Sequence, residues 1–234
     1  MRQQNAMSRP RLSSADRRDA ILTVALRVFA EHGFDKTKVE WIAQQSDISQ
    51  ALIYRHFPTK THLYRGVLRR VLEGQDRAFV AFGELEPSGE GLARLVAQRM
   101  VITIAARSSA AENGARLVLR SIAGDGSLAR LIYRRVRRKS LPSLSATLAT
   151  AYAAGDIEGD LLSADNMIAF IEHVAATMQV VRTTEPPVID YTGDDHSLLR
   201  SSIVFCARGI GLRPALVERA TQIGREYLER QQTA

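Results

Sequence analysis

From Ser13 onward, apolar residues recur at helical spacing in short blocks separated by turn signals. Ser13 and Asp16 predict a capped helix start, because each side chain can satisfy a free amide of the first turn. Ile21, Leu22, Ala25, Val28 and Phe29 then share one face, and Gly33 can take the left-handed conformation that closes such a helix. Thr37 and Glu40 predict a second capping box, opening a helix that buries Val39, Ile42 and Ala43. Gln45-Ser46-Asp47 breaks that pattern, Ser49 caps a third segment of barely two turns, and Phe57-Pro58-Thr59 stops it. Thr59 starts a fourth helix with Leu63, Val67, Leu68 and Val71 on one side.

A helix, a turn of about four residues and a second short helix, leaning on a preceding helix, is the helix-turn-helix plan. Helices this short need a third to pack against, which leaves the outer face of the last free to enter a major groove. Small helical bundles without DNA share the pattern, so spacing alone leaves both readings open. Charge narrows the choice. Residues 1–70 hold 13 Lys and Arg against 6 Asp and Glu, whereas residues 71–234 hold 19 of each. A positive field confined to one segment suits a polyanion, since Lys and Arg contacts to phosphate supply most non-specific affinity for DNA. Part of the excess comes from Arg2, Arg9 and Arg11, so a basic tail is the alternative.

Ile21-Leu22, Ala25, Phe29, Gly33, Thr37, Ile42-Ala43, Ile48-Ser49, Tyr54, His56-Phe57, Lys60 and Leu63 stand where the TetR family of transcriptional regulators has its recurrent residues. The chain resembles that family over roughly residues 15–75, most specifically in the run from Ile48 to Phe57. Asp47 departs from the usual turn glycine, and Ala51 replaces a residue that is often glycine. Asp tolerates left-handed backbone better than most residues, so the turn should survive. The resemblance implies an all-α protein: a basic arm over 1–14, a three-helix DNA-binding domain over 15–75 with its helix-turn-helix at 38–57, and a ligand-binding and dimerisation bundle over 76–234.

The DNA-binding positions it implies are Thr37, Lys38, Ser49, Gln50, Ala51, Leu52, Tyr54, Arg55, His56 and Lys60. Gln50, Ala51 and Leu52 open the recognition helix and should face base edges, Gln pairing with adenine and small apolar groups meeting a thymine methyl. Leu52 has core packing as its alternative, although Ile53 fits the inward position better. Thr37, Tyr54, His56 and Lys60 should touch phosphates, Thr37 while capping its helix. Arg55 suits a guanine or a phosphate. Trp41 reads as packing.

Beyond residue 76, Pro87-Ser88-Gly89 marks a break, and helices are expected near 90–107, 110–122, 127–153, 163–182, 195–209 and 214–231, with a kink at Pro142. By resemblance, the helices at 163–182 and 195–209 would pair across a twofold axis. Ile168, Ile171, Ala175, Met178, Ile203, Phe205 and Ile210 are candidates for that interface or for intramolecular core. The run Arg134-Arg135-Val136-Arg137-Arg138-Lys139 spreads around a helix rather than forming a stripe, and reads as a solvated face.

Enzyme signatures do not appear: no phosphate loop, no His-Glu-x-x-His, no nucleophile elbow. The five histidines are scattered, His173 reading as a satisfied or pocket-lining residue, and lone Cys206 cannot form a disulfide or a cysteine zinc site. No cofactor or metal is expected. Met1–Arg11 lacks the apolar core of a signal peptide, and charges interrupt every apolar run, so a cytoplasmic protein without membrane contact is expected. The reading is a dimeric repressor of double-stranded DNA, released by a small apolar or amphipathic molecule. A constitutive or architectural DNA-binding protein, or an all-α enzyme or carrier, are its rivals.

Overall fold

The computed structural model describes residues 13–81, 84–105, 109–184 and 186–232. All but the last two residues of the basic arm read over 1–14 lie outside these, as does the end of the helix read over 90–107. Among the described residues the protein is all-α, with no strand beyond an isolated bridge between Ile157 and Leu212. It divides into two compact units, Met1–Arg70 and Val71–Ala234.

The first unit holds α1 (Ser14–Lys36), α2 (Val39–Gln45), α3 (Gln50–His56) and the start of α4 (Lys60–Ala81). Ser13 accepts from the Asp16 amide and Ser49 from the Leu52 amide, as expected of caps. The Thr59 hydroxyl likewise accepts from the His62 amide at the start of α4. The expected Thr37–Glu40 capping box does not form. Lys38 occupies the cap of α2 without a side-chain bond, and the Thr37 hydroxyl turns back to donate to the Gly33 carbonyl at 2.6 Å. The backbone bends at Gly33 (φ 79°), which brings that carbonyl within reach of a short hydroxyl. Ile21, Ala25, Phe29, Ile42, Ile53, Phe57, Leu63 and Val67 fill the core. Phe29, Phe34 and Tyr64 add an aromatic cluster, with Phe29 and Tyr64 edge to face at 5.0 Å.

The second unit contains α5 (Gly89–Ala105), α6 (Ser109–Ala123), α7 (Ser127–Ala153), α8 (Ala164–Thr183), α9 (Asp195–Ile210) and α10 (Pro214–Gln232). Leu92, Ala93, Val96, Ala97 and Met100 make α5 the central helix, packed by α7, α8, α9 and α10. Helix α7 runs through Pro142 from Ser127 to Ala153. Among the described residues of this unit, no buried side-chain polar atom lacks a partner. Arg99 on α5 forms a two-pronged ion pair with Glu172 on α8, at 2.8 and 3.0 Å, and donates to Thr103. His173, exposed on α8, meets the Tyr133 hydroxyl at 2.7 Å. Cys206 is buried, and burial pushes its thiol up to about 11, so it behaves as a packed apolar group.

Of the interface candidates, Ile171, Ala175, Met178, Ile203 and Ile210 are buried in this unit's own core, and Ile168 packs against it. Phe205 alone of the seven stands out at 68% exposed, and Phe170 on α8, missed by the sequence reading, is 57% exposed.

The basic run on α7 is mostly exposed, as expected of a solvated face, but three of its cations have acidic partners. Arg135 and Lys139 both bind Asp76, Lys139 at 2.9 Å, and Arg137 pairs with Asp165 at 2.9 Å. Hydrogen bonds from those two cations hold the Asp76 carboxyl down at about 2, against an ordinary 3.8. A depressed carboxylate pKa contributes stability above its unfolded value and loses it as pH falls through the folded one. We therefore expect Asp76→Asn to lower the thermal midpoint above pH 5, with the gap to wild type closing between about pH 4 and pH 2. A gap that persists at pH 2 would show that the clamp is not electrostatic.

Candidate nucleic-acid interface

Helix α3 is fixed from beneath. Ile53 and Phe57, four residues apart, are each 1% exposed, and the Phe57 amide closes the helix by donating to the Ile53 carbonyl at 2.8 Å. The Phe57 ring seats against α4 because residue 66 is glycine: a Cβ there would lie 3.1 Å from the ring and 2.9 Å from Leu22. From α1, Arg18 donates to the His56 carbonyl at 3.0 Å and lays its guanidinium 4.2 Å above the Phe57 ring. A cation at a helix C-terminus also offsets the partial negative charge of its free carbonyls. With that side anchored, Ala51, Tyr54 and Arg55 are exposed, while Gln50 at the start of the helix, Leu52 and His56 are half-buried.

The turn leading into α3 also follows from local chemistry. Asp47 holds φ 52°, a left-handed conformation that few side chains tolerate, and the Ile48 amide donates to the Ala43 carbonyl at 3.1 Å. Across the turn, Gln50 Nε2 donates to Glu40 Oε1 at 3.1 Å, joining α3 to α2.

The expected site residues fall into two groups. Ser49, Gln50, Ala51, Leu52, Tyr54, Arg55 and His56 come together on or beside the free face of α3. Lys38 is exposed at the cap of α2 with its ammonium 5.9 Å from the Trp41 ring, and Trp41 packs edge to face on His32 as a structural residue. Lys60 is turned to α1, donating to the Asp35 carbonyl at 3.2 Å above the Phe34 ring. Thr37 is buried, its hydroxyl already engaged. Partial burial, then the guanidiniums of Arg55, Arg18 and Arg17, lower the His56 pKa below its usual value, which favours a neutral ring. Arg17 and Arg18 escaped the sequence reading, and Glu40 was read there only as half of a capping box. Arg18 acts across 38 positions of chain, and local periodicity carries no trace of such a partner.

Residues 21–67 match the family model for bacterial regulatory proteins of the tetR family. The HTH-type transcriptional regulator RutR of Escherichia coli (strain K12) is 40% identical over 65 residues, covering 28% of this chain and 30% of that protein. Residues 21–67 are thus a domain of the tetR-family type. Two solved structures extend the likeness in fold. AibR, in complex with isovaleryl coenzyme A and operator DNA, superposes with a TM-score of 0.63 at 16% identity, covering 84% of this chain and 100% of that one. A gamma-butyrolactone receptor (ArpA-like protein) gives 0.62 at 17% identity, covering 94% of this chain and 100% of that one. The chain spans about 30% of the length of the curated relative it matches, so the sequence likeness belongs to the TetR domain. Among the described residues, no helix is long and apolar enough to cross a membrane, and no cluster of His, Cys, Asp and Glu could hold a metal ion.

Proposed function

We propose that this chain is a ligand-responsive transcriptional regulator that binds double-stranded operator DNA as a homodimer. The observation that carries the reading is the free side of α3: Ala51, Tyr54 and Arg55 are exposed and Gln50 is half-buried at its start, while Ile53 and Phe57 anchor the helix. Gln50, Ala51 and Leu52 meet base edges, because the first residues of a recognition helix reach the groove floor. Tyr54, Arg55, His56, Lys38 and Lys60 serve the phosphates. Seven residues of helix read too few bases for specificity, so two copies are needed, on half-sites about one helical turn apart or a multiple of it. Phe170 and Phe205, exposed on α8 and α9, support a second copy meeting this unit there.

The AibR and gamma-butyrolactone receptor structures favour a small molecule held in the C-terminal unit. Such a ligand releases DNA only by binding better to a conformer whose recognition helices no longer fit the grooves. The helices that would enclose it carry mainly Ala, Leu, Ile, Val and Met, which suits an apolar or amphipathic molecule and a repressor relieved by it.

The test is a titration of one selected operator and its single-base variants at fixed salt. Gln50→Ala should relax discrimination at one base in each half-site by about 1–3 kcal/mol. Tyr54→Phe should weaken all sequences by similar factors and leave the preference unchanged. The opposite result would move base reading away from the start of α3.

A further inference from the structure

We infer that Glu40 is a specificity-determining residue that locks the side-chain amide of Gln50 in one orientation, so that α3 selects a base carrying a major-groove amino group. This deepens the DNA-binding reading above and rests on it. The observation is the hydrogen bond from Gln50 Nε2 to Glu40 Oε1, 3.1 Å long, between two solvent-accessible side chains on α2 and α3.

A glutamine amide has a donor end and an acceptor end of nearly the same shape, and left alone it can present either. Rotated one way it offers its carbonyl oxygen to adenine N6 or cytosine N4. Rotated the other way it offers N–H groups to guanine O6 or N7, or to thymine O4. A carboxylate has only acceptors. Beside Glu40, the rotated amide would set its carbonyl oxygen against a carboxylate oxygen, acceptor against acceptor. Only the observed arrangement, nitrogen toward Glu40, forms a bond. One Nε2 hydrogen is thereby engaged by Glu40, and Gln50 Oε1 is left to accept from a base. Adenine and cytosine present a donor to that oxygen, while guanine and thymine present only acceptors. Neighbouring Ala51 has only a methyl group and cannot compensate.

The experiment is selection of half-sites from a randomised DNA library by wild type, Gln50→Ala and Glu40→Ala, followed by titration of single-base variants. The position read by Gln50 is the one whose preference disappears in Gln50→Ala. Wild type should prefer adenine or cytosine there. Glu40→Ala should admit guanine and thymine, reducing discrimination against them about tenfold. Glu40→Gln should do the same, since its neutral amide can turn to accept either orientation of Gln50. A general electrostatic role for Glu40 would instead raise affinity for every sequence equally on substitution. An unchanged base profile in both Glu40 variants, with selective wild type, overturns the lock and leaves the DNA-binding reading standing. Wild type that selects no sequence overturns both.

Discussion

Replacing Phe57 with alanine is expected to destabilise the first unit by about 3–5 kcal/mol, the usual cost of removing a fully buried aromatic ring from a packed core. The ring is 1% exposed, sits against Gly66 and Leu22, and carries the Arg18 guanidinium on its face. Its loss leaves a cavity bordered by α1, α3 and α4, and takes from Arg18 the ring beneath its guanidinium. A unit of about 70 residues has only a few kcal/mol in reserve, so most of its stability would go. Amide exchange in α1 and α3 should accelerate by about 10²- to 10³-fold, while α5 and α10 stay protected. Equal acceleration in α5 would contradict the division into two units, and no acceleration in α3 would contradict the anchoring role of Phe57.

A comparable loss is expected in the second unit from Gly211→Ala. Gly211 caps α9 with φ 88°, and its carbonyl accepts from the Glu158 amide at 2.7 Å. An added Cβ would lie 2.5 Å from the Glu158 carbonyl oxygen. Left-handed backbone costs about 1–2 kcal/mol for an alanine. The clash adds to this, because the obstructing atom is backbone and belongs to the same bridge. A total of about 2–4 kcal/mol would lower the unit's melting point by roughly 5–15 °C. Gly155→Ala is the control: φ is 74° there, but no atom lies within 4 Å of the new methyl. It should cost only the conformational part. Equal shifts for the two variants, measured by calorimetry, would remove the clash from the account.

Much of this architecture could be read from the sequence where the signal was local. Ser13, Ser49 and Thr59 cap helices because donor and acceptor sit within a few residues. The helix expected at 127–153 is Ser127–Ala153, and that at 195–209 is Asp195–Ile210, since caps, glycines and periodicity all fall inside the same window. What escaped depended on contacts distant in sequence. Periodicity marks Ile171 and Ile203 as buried but cannot say whether their own unit or a second copy covers them; the unit's own core does. Charge runs show cations but not their partners, so Arg135 and Lys139 gave no hint of Asp76. Thr37 had the residue type and spacing of a cap, yet the bend at Gly33 offered its hydroxyl a nearer acceptor. At the candidate interface, residue identities identified the face of α3 but not the Glu40–Gln50 bond across the turn.

The left-handed backbone at Asp47 has a consequence for how this motif can vary. The requirement at that position comes from the chain's path, since φ 52° excludes β-branched and bulky side chains whatever surrounds them. Only glycine, asparagine and aspartate are readily interchangeable there. Four residues later, Ala51 is exposed on a regular helix, where the backbone accepts nearly any side chain. Variation at 47 is therefore confined by conformation and variation at 51 by whatever α3 meets. A lineage can retune the outer face of α3 freely while the turn that aims it stays nearly fixed.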